Sequence, residues 1–277
     1  MIIGVTGGKG GTGKSTIATA LAFELQKKNK VLLVDADADC PNDHLILGIK
    51  RKLVKKVYQR IPKWDFEKCT KCGLCGNVCK TKAIVAIKRK YPIFIQQQCN
   101  GCGACLVKCP VNAISWDKKV IGYVYKGKKK GITLVSSELQ INEPLSEFVV
   151  NSVKDFLERK KNDFDYIIVD TAAGTHCDVI SALQGCDFAI AVTEPTPLGA
   201  HDLELIMKLI TKLKIPFEVI VNMYQKENEH LVKKIIDKYN KKILAKIPYK
   251  KEIMEAYSKG KPIQDKGISK IIDYIRK

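Results

Sequence analysis

Short, continuously apolar runs alternate with helical patterns along the chain. Met1–Val5 is an apolar run followed by a glycine-rich loop, and residues 15–27 carry apolar side chains at helical spacing. Val31–Val34 is a second continuous apolar run, and it ends at an aspartate. Strands of a parallel sheet are buried on both faces and are therefore continuously apolar, so this succession predicts a βαβ unit.

The same alternation resumes in the second half of the chain. A helical pattern lies within residues 139–161 and another at residues 202–213, and the Val/Ile/Tyr-rich residues 120–136 predict a hairpin. Further strands are predicted at Tyr166–Val169, Phe188–Val192, Glu218–Val221 and Ile243–Ile247. The pattern predicts an α/β fold, with a mostly parallel sheet covered by helices on both faces.

Charge and cysteine are concentrated in one segment between these halves. Residues 50–130 contain 21 Lys/Arg and 3 Asp/Glu, which accounts for +18 of the net charge of +19. Eight of the eleven cysteines lie between positions 69 and 109. We therefore predict an inserted domain at residues 60–118, within one α/β domain formed by residues 1–59 and 119–277.

The apolar runs are all short. None approaches the roughly 18 residues that a membrane span needs, and the first residues predict a buried strand rather than a signal peptide. The spacing of Ile268, Ile271, Ile272 and Ile275 predicts a helix that packs on the core rather than on a membrane. We expect a cytoplasmic protein whose cysteines do not form disulfides.

The loop after the first strand has the pattern of a phosphate-binding loop, G-x-x-x-x-G-K-[ST]. In this chain it reads Gly8-Lys9-Gly10-Gly11-Thr12-Gly13-Lys14-Ser15. Its glycines let backbone N–H groups surround a phosphate, and the following helix offers its positive end to the anion. Lys14 is expected to reach the β- and γ-phosphates, and the Ser15 hydroxyl to bind Mg²⁺.

The second lysine of this loop brings a resemblance. The segment from Lys9 through Thr16 resembles the deviant Walker A motif of the MinD/ParA ATPases, a family that also includes the nitrogenase iron protein. The resemblance implies an ATP-dependent homodimer in which Lys9 contacts the nucleotide of the partner subunit.

Other segments resemble motifs of the same family. Val34-Asp35-Ala36-Asp37 resembles its strand-end acidic pair, and Ile168–Gly174 resembles its Walker B and switch II segment. By this resemblance Asp37 orients the attacking water, Asp35 and Asp170 help to hold Mg²⁺, and the Gly174 backbone senses the γ-phosphate. Asn222 and Pro248 correspond to the two sides of the base pocket.

The predicted strand ends carry these acidic residues to the edge of the sheet where ligands bind. Two lysines, one Mg²⁺ and one water-orienting carboxylate suffice for slow ATP hydrolysis, because phosphoryl transfer needs positioning and charge neutralisation. Related ATPases of this family tend to have two prolines where this chain has Ala172 and Ala173, and we expect this difference to affect the hydrolysis rate more than nucleotide binding.

The cysteines form two copies of one run, offset by 30 residues. They are Cys69, Cys72, Cys75 and Cys79, then Cys99, Cys102, Cys105 and Cys109 followed by proline. This is the run of bacterial ferredoxins with two [4Fe–4S] clusters, in which the fourth cysteine ligates the other cluster. We therefore assign Cys69, Cys72, Cys75 and Cys109 to one cluster, and Cys99, Cys102, Cys105 and Cys79 to the other.

Alternative uses of these cysteines fit less well. Zinc sites use pairs of C-x-x-C rather than two such runs, and disulfides are rare in chains without a secretion signal. Cys186 is expected in the core. Cys40 and Cys177 follow the switch segments, and each is either an incidental residue or a neighbour of the nucleotide or dimer interface.

The whole chain resembles MinD-superfamily ATPases that carry an inserted ferredoxin domain. The resemblance implies an iron–sulfur ATPase that couples nucleotide state to electron transfer. Two alternatives stay open: an ATPase for assembly or delivery of iron–sulfur clusters or metallocofactors, and a redox-sensing positioning ATPase. The basic insert is either a lysine-rich composition typical of thermophiles or a docking face for an acidic redox protein, metalloenzyme or assembly partner. Nucleic-acid and membrane partners are not expected.

Overall fold

The computed structural model describes residues 1–276, apart from the side chains at positions 254 and 257. The chain divides into two compact units. The first contains residues 1–55, 123–138 and 146–277, and we call it the P-loop unit. The second contains residues 56–122 and 139–145, and we call it the cysteine unit.

The described residues form eleven strands and ten α-helices. The strands are β1 (Ile2–Thr6), β2 (Val31–Asp35), β3 (Arg51–Trp64), β4 (Ile84–Val85), β5 (Ile93–Phe94), β6 (Ile114–Lys129), β7 (Ile132–Leu139), β8 (Tyr166–Asp170), β9 (Phe188–Thr193), β10 (Phe217–Tyr224) and β11 (Ile243–Pro248). The helices are α1 (Lys14–Leu25), α2 (Asp43–Ile46), α3 (Leu74–Asn77), α4 (Ala104–Lys108), α5 (Ser146–Lys160), α6 (Cys177–Leu183), α7 (Pro197–Lys212), α8 (Glu229–Lys238), α9 (Lys251–Ser258) and α10 (Lys266–Ile275).

The P-loop unit is built on a mostly parallel sheet. Seven of its strands pair in parallel in the order β11-β10-β9-β1-β8-β2-β7, and β6 and β3 continue the sheet beyond β7. The α/β fold with a mostly parallel sheet is therefore confirmed. The strands β6 and β7 form the hairpin expected at residues 120–136.

Two apolar cores lie on the two faces of this sheet. Ile190 and Val192 of β9 belong to the core that includes α1 and α10, whereas their neighbours Ala189 and Ala191 belong to the core that includes α6, α7 and α8. Successive side chains of a strand point to opposite faces, so a strand buried on both sides is apolar throughout. The apolar spacing of α10 is also explained, because Ile271 is fully buried in the first core.

The cysteine unit has much less regular structure of its own. Its described secondary structure includes the short antiparallel pair β4–β5 and the one-turn helices α3 and α4. Its core contains the buried side chains of Ile84, Cys105 and Ile114, with the ring of Trp64 packed near that of Phe94 at 5.3 Å between centroids.

The backbone of the cysteine unit repeats with the sequence. Positive φ angles occur in pairs separated by 30 residues: Lys71 with Gly101, Gly73 with Gly103, and Lys82 with Asn112. Each of the glycines Gly73 and Gly103 precedes a one-turn helix. Positive φ is uncommon outside glycine, so three such pairs indicate two copies of one loop conformation.

Strand β3 and the first part of β6 were not predicted, whereas residues 120–129 of β6 lie in the expected hairpin. Each strand contains residues of both units, and each has many exposed residues rather than a continuous apolar run. The boundaries of the cysteine unit also differ from the predicted insert, since residues 139–145 belong to it.

Candidate functional site

A cavity of about 750 Å³ opens at the carboxyl ends of the strands of the P-loop unit. This volume lies within the range of small-molecule sites in proteins, and this edge of a parallel sheet is where ligands bind. It is lined by the following residues: Gly10, Gly11, Gly13, Lys14, Ser15, Thr16, Asp37, Cys40, Asn42, Ala173, Asn222, Met223, Pro248, Tyr249, Lys250, Ile253 and Ser258.

The glycine-rich loop between β1 and α1 forms one wall. Gly11 and Gly13 have φ angles of 83° and 89°, a conformation that residues with a Cβ rarely adopt. A Cβ at Gly13 would lie 2.2 Å from Nδ2 of Asn222. Helix α1 begins at Lys14, directly after this loop. The free N–H groups and the positive end of the helix therefore point to where a phosphate would bind.

Lys14 is buried at the start of α1, with 7% of its surface exposed. Its Nζ donates a hydrogen bond of 3.2 Å to the carbonyl oxygen of Lys9. Burial lowers the pKa of Lys14, and the charges of Asp170 and Asp37 oppose that shift. The arrangement holds a cation at the loop, where phosphate oxygens would meet it.

Lys9 does not line this cavity. Its Nζ forms an ion pair of 2.6 Å with Oε1 of Glu194, and both side chains are largely shielded from solvent. The same Glu194 oxygen accepts a hydrogen bond from the Thr196 hydroxyl at 3.1 Å. Nothing in the sequence pattern pointed to Glu194, because it lies 185 positions from Lys9.

The three predicted acidic residues occupy different depths. Asp37 lines the cavity, and its Oδ1 accepts a hydrogen bond of 3.1 Å from the backbone N–H of Cys40. Asp35 and Asp170 are fully buried at the ends of the neighbouring strands β2 and β8. Burial raises the pKa of Asp170 to about 7, while the nearby Ser15 hydroxyl and the charge of Lys14 oppose that rise.

These residues fit a magnesium ion. Ser15 offers a hydroxyl to the cavity, and neither carboxylate oxygen of Asp170 has a well-formed hydrogen bond among residues 1–276. Oxygen donors are what Mg²⁺ prefers, and a buried carboxylate with free lone pairs can hold its water ligands.

The predicted base pocket includes one amide and one proline. Nδ2 of Asn222 donates to the carbonyl oxygen of Thr12 at 2.9 Å, which ties β10 to the glycine-rich loop. Pro248 ends β11 and lines the same cavity. Tyr249 and Ile253 also line it and were not predicted, because no motif or spacing marks that segment.

The predicted switch glycine lies beside the loop. Gly174 has a φ angle of 96°, and its backbone N–H donates to the carbonyl oxygen of Gly7 at 3.1 Å. Its neighbour Ala173 lines the cavity, whereas Gly8 and Gly174 are not among the lining residues.

The eight clustered cysteines divide into two sets of four. One small cavity of the cysteine unit is lined by Cys69, Cys72, Cys75 and Cys109, and a second by Cys79, Cys99, Cys102 and Cys105. All eight carry free thiols. In each set, three cysteines come from one run and the fourth from the other.

Backbone and side-chain groups surround these thiols. Sγ of Cys99 accepts a hydrogen bond from the N–H of Gly101 at 3.4 Å, and Sγ of Cys109 from the N–H of Ala113 at 3.2 Å. Burial raises the pKa of Cys105 to about 11. Soft metals bind the thiolate form, so the charge of a bound metal would favour loss of the proton from such a buried thiol.

The other three cysteines have different surroundings. Cys40 is exposed and lines the large cavity, and Cys177 is exposed at the first position of α6. Burial raises the pKa of Cys186 to about 12.

No helix within residues 1–276 is long and apolar enough to cross a membrane.

Comparisons with known proteins agree with this architecture. A family model described as the CobQ/CobB/MinD/ParA nucleotide binding domain matches residues 3–263. An uncharacterized protein of Methanocaldococcus jannaschii is 36% identical over 262 residues, covering 94% of this chain and 90% of that protein. The septum site-determining protein MinD of Thermotoga maritima is 24% identical over 279 residues, covering 98% of this chain and 83% of that protein.

Solved structures give the same fold. The septum site-determining protein MinD of Pyrococcus horikoshii, complexed with Mg-ADP, superposes with a TM-score of 0.62 at 20% identity, covering 100% of this chain and 96% of that one. The match of the family model over nearly the whole chain, together with a relative more than 30% identical, establishes the family. The chain belongs to the CobQ/CobB/MinD/ParA family of P-loop nucleotide-binding proteins.

Proposed function

We propose that this protein is a slow, Mg²⁺-dependent ATPase that couples its nucleotide state to electron transfer through two [4Fe–4S] clusters. One observation carries the iron–sulfur half of the proposal: eight free cysteines line two cavities in two sets of four. Each set combines three residues of one run with the fourth of the other, as the two-cluster ferredoxin pattern requires.

The nucleotide half rests on the cavity of the P-loop unit. Its loop amides and the buried Lys14 would hold the β- and γ-phosphates, Ser15 would contribute a hydroxyl to Mg²⁺, and Asp170 would hold the ion's water ligands. Asp37, whose side chain lines the cavity, would orient the attacking water. Asn222 and Pro248 would contact the base. The relative from Pyrococcus horikoshii was solved with Mg-ADP, which supports the same ligand here.

An ATP-dependent homodimer is part of the proposal. For Lys9 to contact the nucleotide of a partner subunit, its ion pair with Glu194 has to open. The phosphates of the partner's nucleotide would then replace the carboxylate as the counter-charge. Dimer formation would thus be favoured only when nucleotide is bound.

The cysteine unit fits iron–sulfur clusters by its donor set. Thiolates are the ligands of such clusters, and the half-buried sulfurs already accept backbone hydrogen bonds from Gly101 and Ala113. When bound, the two clusters supply one-electron redox chemistry. Residues 56–122 contain 13 Lys/Arg and 3 Asp/Glu, so an acidic redox protein or metalloenzyme is the partner that this charge favours.

The test is an anaerobic reconstitution followed by EPR-monitored redox titration. Potentials are recorded without nucleotide, with MgADP and with a non-hydrolysable MgATP analogue. We expect eight irons per chain. We also expect the reduction potentials of the clusters to shift by some tens of millivolts between nucleotide states, where about 30 mV corresponds to roughly 0.7 kcal/mol for one electron. Lys14→Gln serves as the control, because it removes the phosphate-binding cation and should abolish the shift while keeping the iron.

Two results would count against the proposal. An iron content well below eight would contradict the two-cluster assignment, and identical potentials in the three states would remove the coupling.

Cluster or metallocofactor delivery is the second candidate, and the exposed thiol of Cys40 in the large cavity favours it. Transfer of iron to an apo-acceptor that depends on ATP and is lost in Cys40→Ser would support delivery instead.

A further inference from the structure

A third carboxylate lies beside Asp35 and Asp170, and no motif marks it. Asp43 is the first residue of α2, and its side chain is fully buried. One carboxylate oxygen from each of Asp35, Asp43 and Asp170 lies within 4.8 Å of those of the other two. The three residues come from the end of β2, from α2 and from the end of β8.

These carboxylates are almost without partners. Oδ2 of Asp35 accepts a hydrogen bond of 3.2 Å from the backbone N–H of Asp43. The other oxygen of Asp35 and both oxygens of Asp43 and Asp170 have no well-formed hydrogen bond within the described part of the chain, although the Ser15 hydroxyl lies near Asp170. Five orphaned oxygens in one buried cluster are far from usual, since buried polar groups nearly always find a partner.

The protein's own cations compensate this cluster only in part. Within residues 1–276, no Lys or Arg nitrogen lies within ion-pair distance of the three carboxylates. The charge of Lys14 acts on Asp170 from further away, and Nζ of Lys14 bonds to the carbonyl of Lys9. Removing a carboxylate from water costs several kcal/mol unless an opposite charge or hydrogen bonds offset it. Burial and mutual repulsion accordingly raise the pKa values of Asp35 and Asp43 well above the usual range.

We infer that Asp35, Asp43 and Asp170 bind one hard divalent cation, of the Mg²⁺ and Mn²⁺ class, in the absence of nucleotide. The donor set contains only carboxylate oxygens, which such ions prefer over softer metals. One ion can bridge three oxygens that all lie within 4.8 Å of one another, since ligand oxygens lie about 2.1 Å from Mg²⁺ and about 2.4 Å from Ca²⁺.

This site shares Asp35 and Asp170 with the magnesium site expected for catalysis and adds a third carboxylate. There the ion needs phosphate oxygens and the hydroxyl of Ser15, whereas here the protein alone supplies the charge. Asp43 is the residue that makes the difference, because it adds the third carboxylate. The inference does not depend on ATP hydrolysis or on the iron–sulfur clusters.

The test measures Mn²⁺ binding to the nucleotide-free holoprotein, with its clusters kept oxidised, from the loss of the free Mn²⁺ EPR signal. We expect the wild-type protein to bind one Mn²⁺ and Asp43→Asn to bind it about 10–100-fold more weakly, the range seen when a group supporting a metal site is removed. Asp39→Asn is the matched control, because it removes the same charge from an exposed position in the same segment and should change the affinity less than two-fold.

A second readout protects against misfolding of the variant. Mn²⁺ should raise the melting temperature of the wild-type protein and of Asp39→Asn, but raise that of Asp43→Asn much less, because a ligand stabilises only the state that binds it. Binding of a fluorescent ATP analogue in the presence of EDTA reports separately on the nucleotide site.

The outcomes separate this inference from the proposed function. Absence of Mn²⁺ binding without nucleotide, or equal affinities of Asp43→Asn and wild type, would overturn the cation site, and protons would then neutralise the cluster. Failure of the ATP analogue to bind while Mn²⁺ binds normally would contradict the proposed ATPase and leave the cation site standing.

Discussion

The P-loop unit and the cysteine unit shape their sites by different means. In the P-loop unit, two extensive apolar cores cover both faces of the sheet, and the cavity lies where fully buried strands end. In the cysteine unit, the core contains Ile84, Cys105 and Ile114, and most of the cysteines are half-exposed. The first site lies between two large apolar cores, whereas in the second the cysteines themselves form part of a small core.

The two units differ in the source of their stability. Burial of apolar surface organises the glycine-rich loop before any ligand arrives. With the proposed clusters bound, the cysteine unit would draw part of its folding free energy from metal. Five predictions test this difference, in decreasing order of expected effect.

Removal of iron should have the largest effect. We expect a strong iron chelator under reducing conditions to make residues 56–122 susceptible to trypsin, because the unit would lose the proposed clusters and the folding free energy that they contribute. The P-loop unit should resist the protease and still bind a fluorescent ATP analogue. Mapping of the cleavage sites by mass spectrometry checks this, and equal resistance of both units after iron removal would contradict the comparison.

Truncation in the large core should act on the other unit. Leu33 is fully buried in β2, and Leu33→Ala should lower the free energy of unfolding by about 2–5 kcal/mol through lost burial and a cavity. Urea denaturation of the reconstituted protein measures it. Iron content should stay at the wild-type level, and loss of iron at urea concentrations that leave nucleotide binding intact would speak against the assignment of Leu33 to the P-loop unit alone.

The glycine-rich loop offers a test of preorganisation. Gly13→Ala should weaken ATP binding by at least about ten-fold, because it strains a φ of 89° and forces a Cβ against Asn222. Gly185→Ala is the control, since Gly185 has a φ of 90° and no neighbour within 4 Å of the added Cβ. Calorimetric titration with ATP compares them, and similar losses in both would mean that backbone strain alone, rather than the contact with Asn222, is responsible.

The ion pair of Lys9 gives a smaller, nucleotide-dependent effect. Glu194→Gln should lower the ATP concentration needed for dimerisation about five-fold, since opening an ion pair worth roughly 1 kcal/mol would no longer oppose it. Glu204→Gln is the matched control, because Glu204 pairs with lysines on the surface of α7 and α8. Analytical ultracentrifugation over a range of ATP concentrations measures the effect, and unchanged dimerisation would show that the ion pair does not restrain Lys9.

The smallest effect concerns the cysteine unit. The buried indole N–H of Trp64 has no oxygen or nitrogen partner within residues 1–276. It lies close to the thiol of Cys75, whose pKa it lowers, while burial raises that pKa by more. Loss of this donor in Trp64→Phe should lower the potential of the adjacent cluster by about 20–60 mV, the equivalent of one hydrogen bond, because the reduced cluster carries more negative charge. EPR titration measures it, with Trp116→Phe at an exposed position as the control. An equal shift in both variants would contradict a specific role for Trp64.

Much of the architecture could be predicted because it is local. The continuous apolar runs of β1, β2 and β8 follow from burial on both faces, and the helix α1 follows from its spacing. The glycine-rich loop and the two cysteine runs are recognisable because their chemistry fixes residue types at short, fixed intervals.

The tertiary structure decided what depends on residues far apart in the chain. Asp43 joins Asp35 and Asp170, and Glu194 meets Lys9, only because strands and helices bring them together. Strand β3 and the first part of β6 escaped prediction because their many exposed residues interrupt the apolar pattern. The sequence by itself determined the local elements and the donor groups, whose rules extend over a few residues. The fold decided which buried charges are neighbours, because contact across a sheet leaves no regular spacing in the chain.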